Sequence, residues 1–367
     1  MKKYIFLICF LFSTALFSAN SNWMSQIPNS RVINQLIIPG THDSGSYAIT
    51  ALSKFSLSPD DPLPTWIEQV SNILPLSLVR IIAANWCRTQ PYSIADQLNN
   101  GIRYLDFRID LFQDGHFYLN HALLSVRLSD ALQQIKTFIQ NNPSEIVFID
   151  INHIFNINNA ENETQLVQLL QTYLGPNAIP NTFHTSDTIG TLRKSNRNVI
   201  IFMDTSQIIS SLDMAKFAAH YFWHESNINS PWPNKSNMVD LKNTLDAEIA
   251  VRAQTQNNNF FVLQPIETEN THEIINGIID PLQFPTSIEN FTLSLSQHLK
   301  AWLDQYISEY KSPVINIVIQ DWFTNQSDLV PLAIQYDTQV LTVTLKDQSI
   351  NTKLAALKQW YRTQHTG

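Results

Sequence analysis

The stretch QLIIPGTHDSGSY, Gln35 to Tyr47, runs from an apolar segment into a polar turn and sets a His-Asp pair at the junction. From Gln35 to Pro39 there is no polar alternation, the pattern of a strand buried on both faces. Pro39-Gly40 punctuates the run. His42 and Asp43 therefore stand where a strand ends and solvent begins.

Similar unalternated runs occur at Ile102–Ile109, His116–Asn120, Glu145–Ile151, Asn198–Met203, Phe260–Leu263 and Val314–Ile319, with a weaker one at His220–Trp223. Helix-like stretches separate several of them. In LSDALQQIKTFIQNNPSE, Ala131, Ile135, Phe138 and Ile139 share a face, Ser129 is placed to cap the start, and Pro143 follows the end. SIADQLNNG reads as a shorter helix stopped at Gly101. Eight buried strands interleaved with helices, without a glycine fingerprint of the doubly wound kind, predict an α/β chain of one domain, a distorted (β/α)8-type TIM barrel over residues 20–367.

The 367 residues are 44% hydrophobic and 15% charged, with a net charge of −8. No basic field draws such a chain to nucleic acid. The first 19 residues hold Lys2 and Lys3, an apolar run from Tyr4, and small residues at the end, the layout of a signal peptide, with an uncleaved membrane anchor as the competing reading. Cleavage after Ser18 or Ala19 removes two lysines and no acids, taking the charge from −8 to −10. The expected location is secreted or periplasmic, and the expected state is a soluble monomer. Cys9 leaves with the leader and Cys87 remains, so neither a disulfide nor a cysteine zinc site is expected. Ser58–Trp86 is an apolar, Pro-broken insertion, read as a packed helical cover with a bilayer-facing surface as the alternative.

A barrel builds its site at the C-terminal ends of its strands. His42 and Asp43 follow the first run, Asp106 and Arg108 lie late in GIRYLDFRID, His121 closes HFYLNH, and Asp321 closes INIVIQD. Two histidines, carboxylates and an arginine on one rim suit phosphodiester cleavage. One neutral imidazole takes a proton from the attacking hydroxyl and a protonated one supplies the leaving oxygen. A carboxylate behind a ring fixes its tautomer, and a guanidinium matches phosphate oxygens.

IIPGTHDSGSY, TQPYSIADQLNNGIRYLDFRI, HFYLNHALL and NPSEIVFIDINH resemble, in order, the X-domain of phosphatidylinositol-specific phospholipase C. WCRTQ and DINH resemble the short branch that carries little beyond that domain. The resemblance is specific from Gln35 to about His153 and thins to INIVIQDWF afterwards. It implies cleavage of phosphatidylinositol-type lipids to diacylglycerol and a cyclic inositol phosphate, with transient membrane contact. It implies His42 as general base and Asp321 as its orienting carboxylate. Arg108 is implied as the phosphate contact, Asp106 as the neighbouring acid, and His121 as general acid paired with Asp43. The glycines around His42 then allow a tight turn beside a catalytic base.

Calcium-dependent members have acids where this chain has Arg108 and Ile151, and calcium requires six to eight oxygens. Asp150, one residue away on a strand, is expected to point the other way. No metal and no cofactor are expected. Ala122 stands where the family has Gly, which places a less tolerant residue in the loop after His121. The alternatives are a glycerophosphodiester phosphodiesterase, whose metal-binding acids are not found, and an inactive headgroup-binding X-domain, which needs no acid/base pair.

Other features read as structural. His153 fits a supporting role as well as a site role. His116 precedes its strand, and His220 and His224 sit four apart in a segment whose aromatics favour a strand. Trp232, in SPWPN, reads as a packed loop residue with lining of a headgroup pocket as the alternative, and the IETEN acids near Glu267 read as a solvated loop or as contacts for inositol hydroxyls.

Overall fold

The structure is a computed structural model, and it describes residues 20–56, 64–203, 211–255, 258–310, 314–324 and 328–339. The leader at 1–19 lies outside the described residues, as does the start of the 58–86 insertion.

Among the described residues, ten strands form the sheet: β1 (Ile38–Thr41), β2 (Tyr104–Leu111), β3 (Phe117–His121), β4 (Leu123–Arg127), β5 (Val147–Phe155), β6 (Val199–Met203), β7 (Phe222–Trp223), β8 (Ile228–Asn229), β9 (Phe260–Leu263) and β10 (Ile317–Gln320). Eight lie side by side in the order β7-β6-β5-β2-β1-β10-β9-β8, and every neighbouring pair on that path is parallel. This is the expected α/β barrel, open at one seam. Only four residues link β7 to β8. A parallel crossover needs a dozen or more, so the two strands are consecutive without being paired.

The run His116–Asn120 is not a barrel strand. β3 follows β2 after five residues and pairs with it antiparallel, and β4 pairs antiparallel with β3. A link that short can only turn back. The eighth barrel strand is instead β8, too short to register as an apolar run.

The barrel interior is filled by Ile38, Tyr104, Phe148, Phe202, Phe260 and Ile319, with Trp23 and Met24 in the same cluster. Helices at Ile94–Asn99, Leu128–Asn141 and Ala160–Leu174 cover the β2–β5–β6 side. The helix Leu128–Asn141 buries Ala131, Leu132, Ile135, Phe138 and Ile139, as its periodicity predicts. Its N-cap is Arg127 without a side-chain cap, so Ser129 does not cap it. Ser93 does cap Ile94–Asn99, and Gly101 ends that segment at φ +106°.

The insertion supplies two helices, Thr65–Ser71 and Leu76–Cys87. Trp66, Ile67, Val70, Val79, Ala83 and Trp86 pack with Ile274, Ala122 and Trp322. The cover expected from the sequence is therefore present, with a second, exposed face described below.

Candidate active site

β1 and β10 run in register from Ile38↔Ile317 to Thr41↔Gln320, so His42 and Asp321 emerge from adjacent strand ends. His42 Nδ1 lies 2.9 Å from Asp321 Oδ1. A carboxylate can only accept, so Nδ1 carries hydrogen and Nε2 is the nitrogen turned to the site.

β2 is next on the other side and places Arg108 and Asp106. Arg108 Nε sits 2.7 Å from Asp43 Oδ1. His121 reaches the site from the end of the β3 arm, its Nε2 3.4 Å from Asp43 Oδ2. The other ring nitrogen donates to the Cys87 carbonyl at 2.9 Å, which fixes its tautomer, since a carbonyl has no proton to give. The two imidazole rings stand 6.1 Å apart at 71°. His42, Asp43, Arg108, His121 and Asp321 are thus brought together as the sequence predicts.

Asp43 lies at the centre, fully enclosed, within ion-pair reach of both histidines and the guanidinium. Burial alone raises a carboxyl pKa; here Arg108 first, then His121 and His42, pull Asp43 down to about 2. Burial also works against charge on His42, yet Asp43 and Asp321 outweigh it and push that imidazole up to about 9. Two contacts on His42 Nε2 belong to its two protonation states. Arg108 Nη2 at 3.1 Å can donate only to a neutral ring, whereas Asp43 Oδ2 at 3.2 Å faces the protonated one.

Asp106 is a wall rather than a mouth residue. Its Oδ2 accepts from the Asp43 backbone N–H at 3.0 Å, and its own N–H donates to Ser44 Oγ. Gly40 and Gly45 answer to space rather than to turn conformation. A Cβ on Gly40 would meet Ile319 Cγ2 at 2.8 Å, and one on Gly45 would meet Leu119 Cδ1 at 2.3 Å. The left-handed backbone falls on Asp43 itself, at φ 41°. Ala122 also adopts it, at φ 54°, so the loop after His121 keeps a glycine-like conformation without the glycine.

Asp150 departs from the expectation. It is the register partner of Asp106, and the Tyr104 hydroxyl of the barrel interior donates to it at 2.5 Å. Parity therefore turns Asp150 inward, while Ile151 packs with the outer helices. Burial, with Asp106 adding to it, raises Asp150 to about 7. Among the described residues, the cluster with metal-ligand spacing is His42, Asp43 and Asp106, with ligand atoms within 4.8 Å of one another. The Arg108 cation already sits on its central carboxylate, so the set does not fit a calcium ion and its six to eight oxygens.

Trp232 is not a packed loop residue. It is 43% exposed and stacks on His42 at 5.4 Å and 22°. His153 is exposed at the rim, in register with Arg108, and its field reaches Asp43. His220 ends the helix Leu212–Tyr221, whereas His224 caps the turn after β7, so the two share no helix face.

The motif WCRTQ has a role that its residue types do not announce. Thr89 Oγ1 and Gln90 Nε2 both donate to the His42 carbonyl at 3.0 Å, and Gln90 Nε2 also donates to the Gln320 carbonyl. At the β7–β8 seam a cavity of about 360 Å³ is lined by Asp150, Asn152, Phe202, Glu225, Ser226 and Ser230 among others.

The PI-PLC X family model (PI-PLC X 1) matches residues 81–262. PI-PLC X domain-containing protein 3 of Danio rerio is 27% identical over 289 residues, which are 77% of this chain and 84% of that protein. PI-PLC X domain-containing protein 2 of Homo sapiens is 28% identical over 272 residues, 72% of this chain and 83% of that one. The variant-surface-glycoprotein phospholipase C of Trypanosoma brucei brucei is 29% identical over 187 residues, 49% and 52% of the two chains. Among solved structures, the phosphatidylinositol-specific phospholipase C from Listeria monocytogenes shares the fold, with a TM-score of 0.58 at 18% identity over 88% of this chain and 99% of that one.

Proposed function

The chain belongs to the PI-PLC X-domain family, and from that premise we propose that it is a metal-independent phosphatidylinositol-specific phospholipase C. One observation carries the reading: two imidazoles 6.1 Å apart, with a carboxylate and a guanidinium between them. His42 Nε2 takes the proton of the inositol 2-hydroxyl, and the freed oxygen attacks phosphorus. The bond from phosphorus to the glycerol oxygen breaks, and His121 Nε2–H protonates that oxygen. Diacylglycerol and a cyclic inositol phosphate result. Asp321 holds the base, Arg108 neutralises charge growing on the phosphate oxygens, and Asp43 keeps Arg108 and both rings in register. The hydroxyls, amide and acids around the seam cavity suit the headgroup.

The lipid reaches this site at a surface. Ile73, Leu76 and Ile81 in and beside the insertion helices are 81%, 60% and 48% exposed, and Ile279 and Leu282 are 75% and 93% exposed. Between Thr65–Ser71 and the helix Thr271–Ile279 runs an apolar groove of about 600 Å³ lined by Val70, Ile73, Leu74, Ile275 and Ile278. Contiguous exposed apolar surface of this kind marks an interaction site. The acidic net charge favours lipid that is not itself strongly anionic. Export by the 1–19 leader would place the enzyme on the outer side of a membrane, and N-terminal sequencing of exported protein tests that step.

Turnover of phosphatidylinositol vesicles, with and without EDTA, beside His42→Ala, tests the activity. Chelator-resistant diacylglycerol release that the substitution abolishes is the expected result. A folded protein without turnover overturns the enzymatic reading in favour of a headgroup binder. Loss of activity to EDTA overturns metal independence.

A further inference from the structure

His42 is held by its edges. Nδ1 meets Asp321 at 2.9 Å, and Nε2 meets Asp43 at 3.2 Å and Arg108 at 3.1 Å. Those contacts use the in-plane positions of both nitrogens and leave the two faces of the ring. One face is covered by Trp232, with ring centroids 5.4 Å apart and planes 22° from parallel. This is an offset stack, within reach of a cation–π contact once the imidazole is protonated.

Core packing does not account for an indole at this place. Trp23, Trp66, Trp86, Trp223 and Trp322 are buried in the hydrophobic clusters, whereas Trp232 is exposed. Its loop is built to hold it all the same. In SPWPN, Pro231 and Pro233 flank the residue. A proline fixes its own φ and keeps the residue before it extended, so Trp232 gives up little freedom on stacking. Gln264, buried just after β9, donates through Nε2 to the Pro231 carbonyl at 2.9 Å and to Ser230 Oγ at 3.1 Å. Beyond the turn, Thr268 N–H donates to the Lys235 carbonyl at 2.8 Å. β9 pairs with β10, so the loop is anchored to the strand beside the one that Asp321 follows.

Resting on the reaction proposed above, we propose that Trp232 is a positioning residue that acts through His42, its π face stabilising the imidazolium that forms as the base takes the hydroxyl proton. The ring is neutral before that transfer and cationic after it, so the attraction grows along the reaction. The Nε2 lone pair lies in the ring plane, so the indole covers the base without blocking the hydroxyl. Asp43 and Asp321 favour the charged ring and Arg108 opposes it; the indole adds to the two carboxylates. Asp106 has a carboxylate oxygen within 4.8 Å of a His42 nitrogen. The His121 ring stands 6.1 Å away, and Glu269 lies in the same field. SPWPN carries no charge of its own.

Alanine at 232 would open the ring to water, and hydration itself favours the charged form, so the test uses Trp232→Leu, which keeps an apolar cover without a π face. NMR titration of histidine-labelled protein, free of lipid, follows the His42 signal, assigned by its loss in His42→Ala. In Trp232→Leu, His42 should titrate lower by about half a unit to about one and a half units. In Trp232→Phe, whose ring holds cations less well, the fall should be smaller. With phosphatidylinositol vesicles, the acid limb of kcat/KM in Trp232→Leu should move to lower pH by the same amount, and the plateau should drop by about three- to thirty-fold. Circular dichroism checks folding. A Leu variant whose His42 titrates with the parent overturns the proposal, as does a loss of rate of one size at every pH, the mark of a merely structural role. A parent protein that releases no diacylglycerol overturns the phospholipase reading and the catalytic role with it, whereas the lipid-free titration reads the stack separately.

Discussion

Asp321→Asn separates the two things a carboxylate does for the base. The Asn side chain keeps the shape and can accept from His42 Nδ1, now at 2.9 Å from Asp321, but it carries no charge. With charge centres about 4 Å apart and an effective dielectric of about 20, the lost attraction is about 4 kcal/mol. That is a ceiling of about three pH units. Asp43 remains beside the ring at 3.2 Å, so His42 is expected to fall from its present value of about 9 by about two units. The base works deprotonated. At pH 7 only about one molecule in a hundred of the wild type holds it so, and the variant holds a far larger share. Against this, loss of tautomer control and of charge on the forming imidazolium lowers the plateau rate by about 10²–10⁴. The acid limb of kcat/KM should thus move to lower pH while the plateau drops, and the ratio of wild type to variant should shrink as pH falls. Diacylglycerol release from phosphatidylinositol between about pH 5.5 and about pH 9.5 measures both. A ratio that does not change with pH would refute the field argument and leave Asp321 a packing residue.

Three further outcomes follow from the same geometry. Ala122→Gly should change thermal stability by less than about 1 kcal/mol, because relief of about 1–2 kcal/mol of left-handed strain is offset by a lost buried methyl and greater unfolded-chain entropy; denaturant titration checks it. Gly45→Ala should destabilise by about 1–3 kcal/mol or more, since its Cβ falls 2.3 Å from Leu119 Cδ1, and activity should fall with it as the loop carrying His42 shifts. Asp150→Asn should raise the melting temperature at pH 8 and have little effect near pH 4. The acid's folded pKa of about 7 lies above the unfolded value, so its contribution is greatest when protonated and declines as pH rises between the two. The difference of about three units corresponds to at most about 4 kcal/mol, and an Asn that lowered stability at pH 8 would contradict it.

Parallel strands buried on both faces are written in long apolar runs, and that is why β1, β2, β5, β6, β9 and β10 were legible. Residues at the ends of such runs were legible for the same reason, including His42, Asp43, Arg108 and Asp321. What failed to show is what depends on chain reversal or on parity. A five-residue link turned the His116–Asn120 run into a hairpin arm, and His121 arrives from outside the barrel. A two-residue strand such as β8 carries no periodic signal. Asp150 was assigned to the wrong face because a strand's orientation flips with one residue of register. The contacts of Thr89, Gln90 and Cys87 use backbone carbonyls distant in sequence, which leave no pattern in residue types. Trp232 lies on a loop without periodicity.

Three site residues are each followed by a non-glycine residue in left-handed backbone: His42 by Asp43, His121 by Ala122, and Asp321 by Trp322 at φ 43°. Each such turn costs about 1–2 kcal/mol, so surrounding bonds must hold it. Asp106 accepts from Asp43 N–H, and Ser56 N–H donates to the Ala122 carbonyl at 2.9 Å. Trp322 N–H donates to the Thr89 carbonyl at 2.7 Å, and its indole to the Arg88 carbonyl at 3.0 Å. Residues 87–90 therefore bind all three corners: His121 through Cys87, Trp322 through Arg88 and Thr89, His42 through Thr89 and Gln90. The same four residues begin at the C-terminal end of the helix Leu76–Cys87, whose outer face carries Leu76 and Ile81 to the surface. A displacement of that helix against lipid must either carry the three corners as one body or break several hydrogen bonds at once. The apolar rim proposed to meet lipid and the frame that aligns His121, His42 and the Asp321 carboxylate are thus mechanically one element.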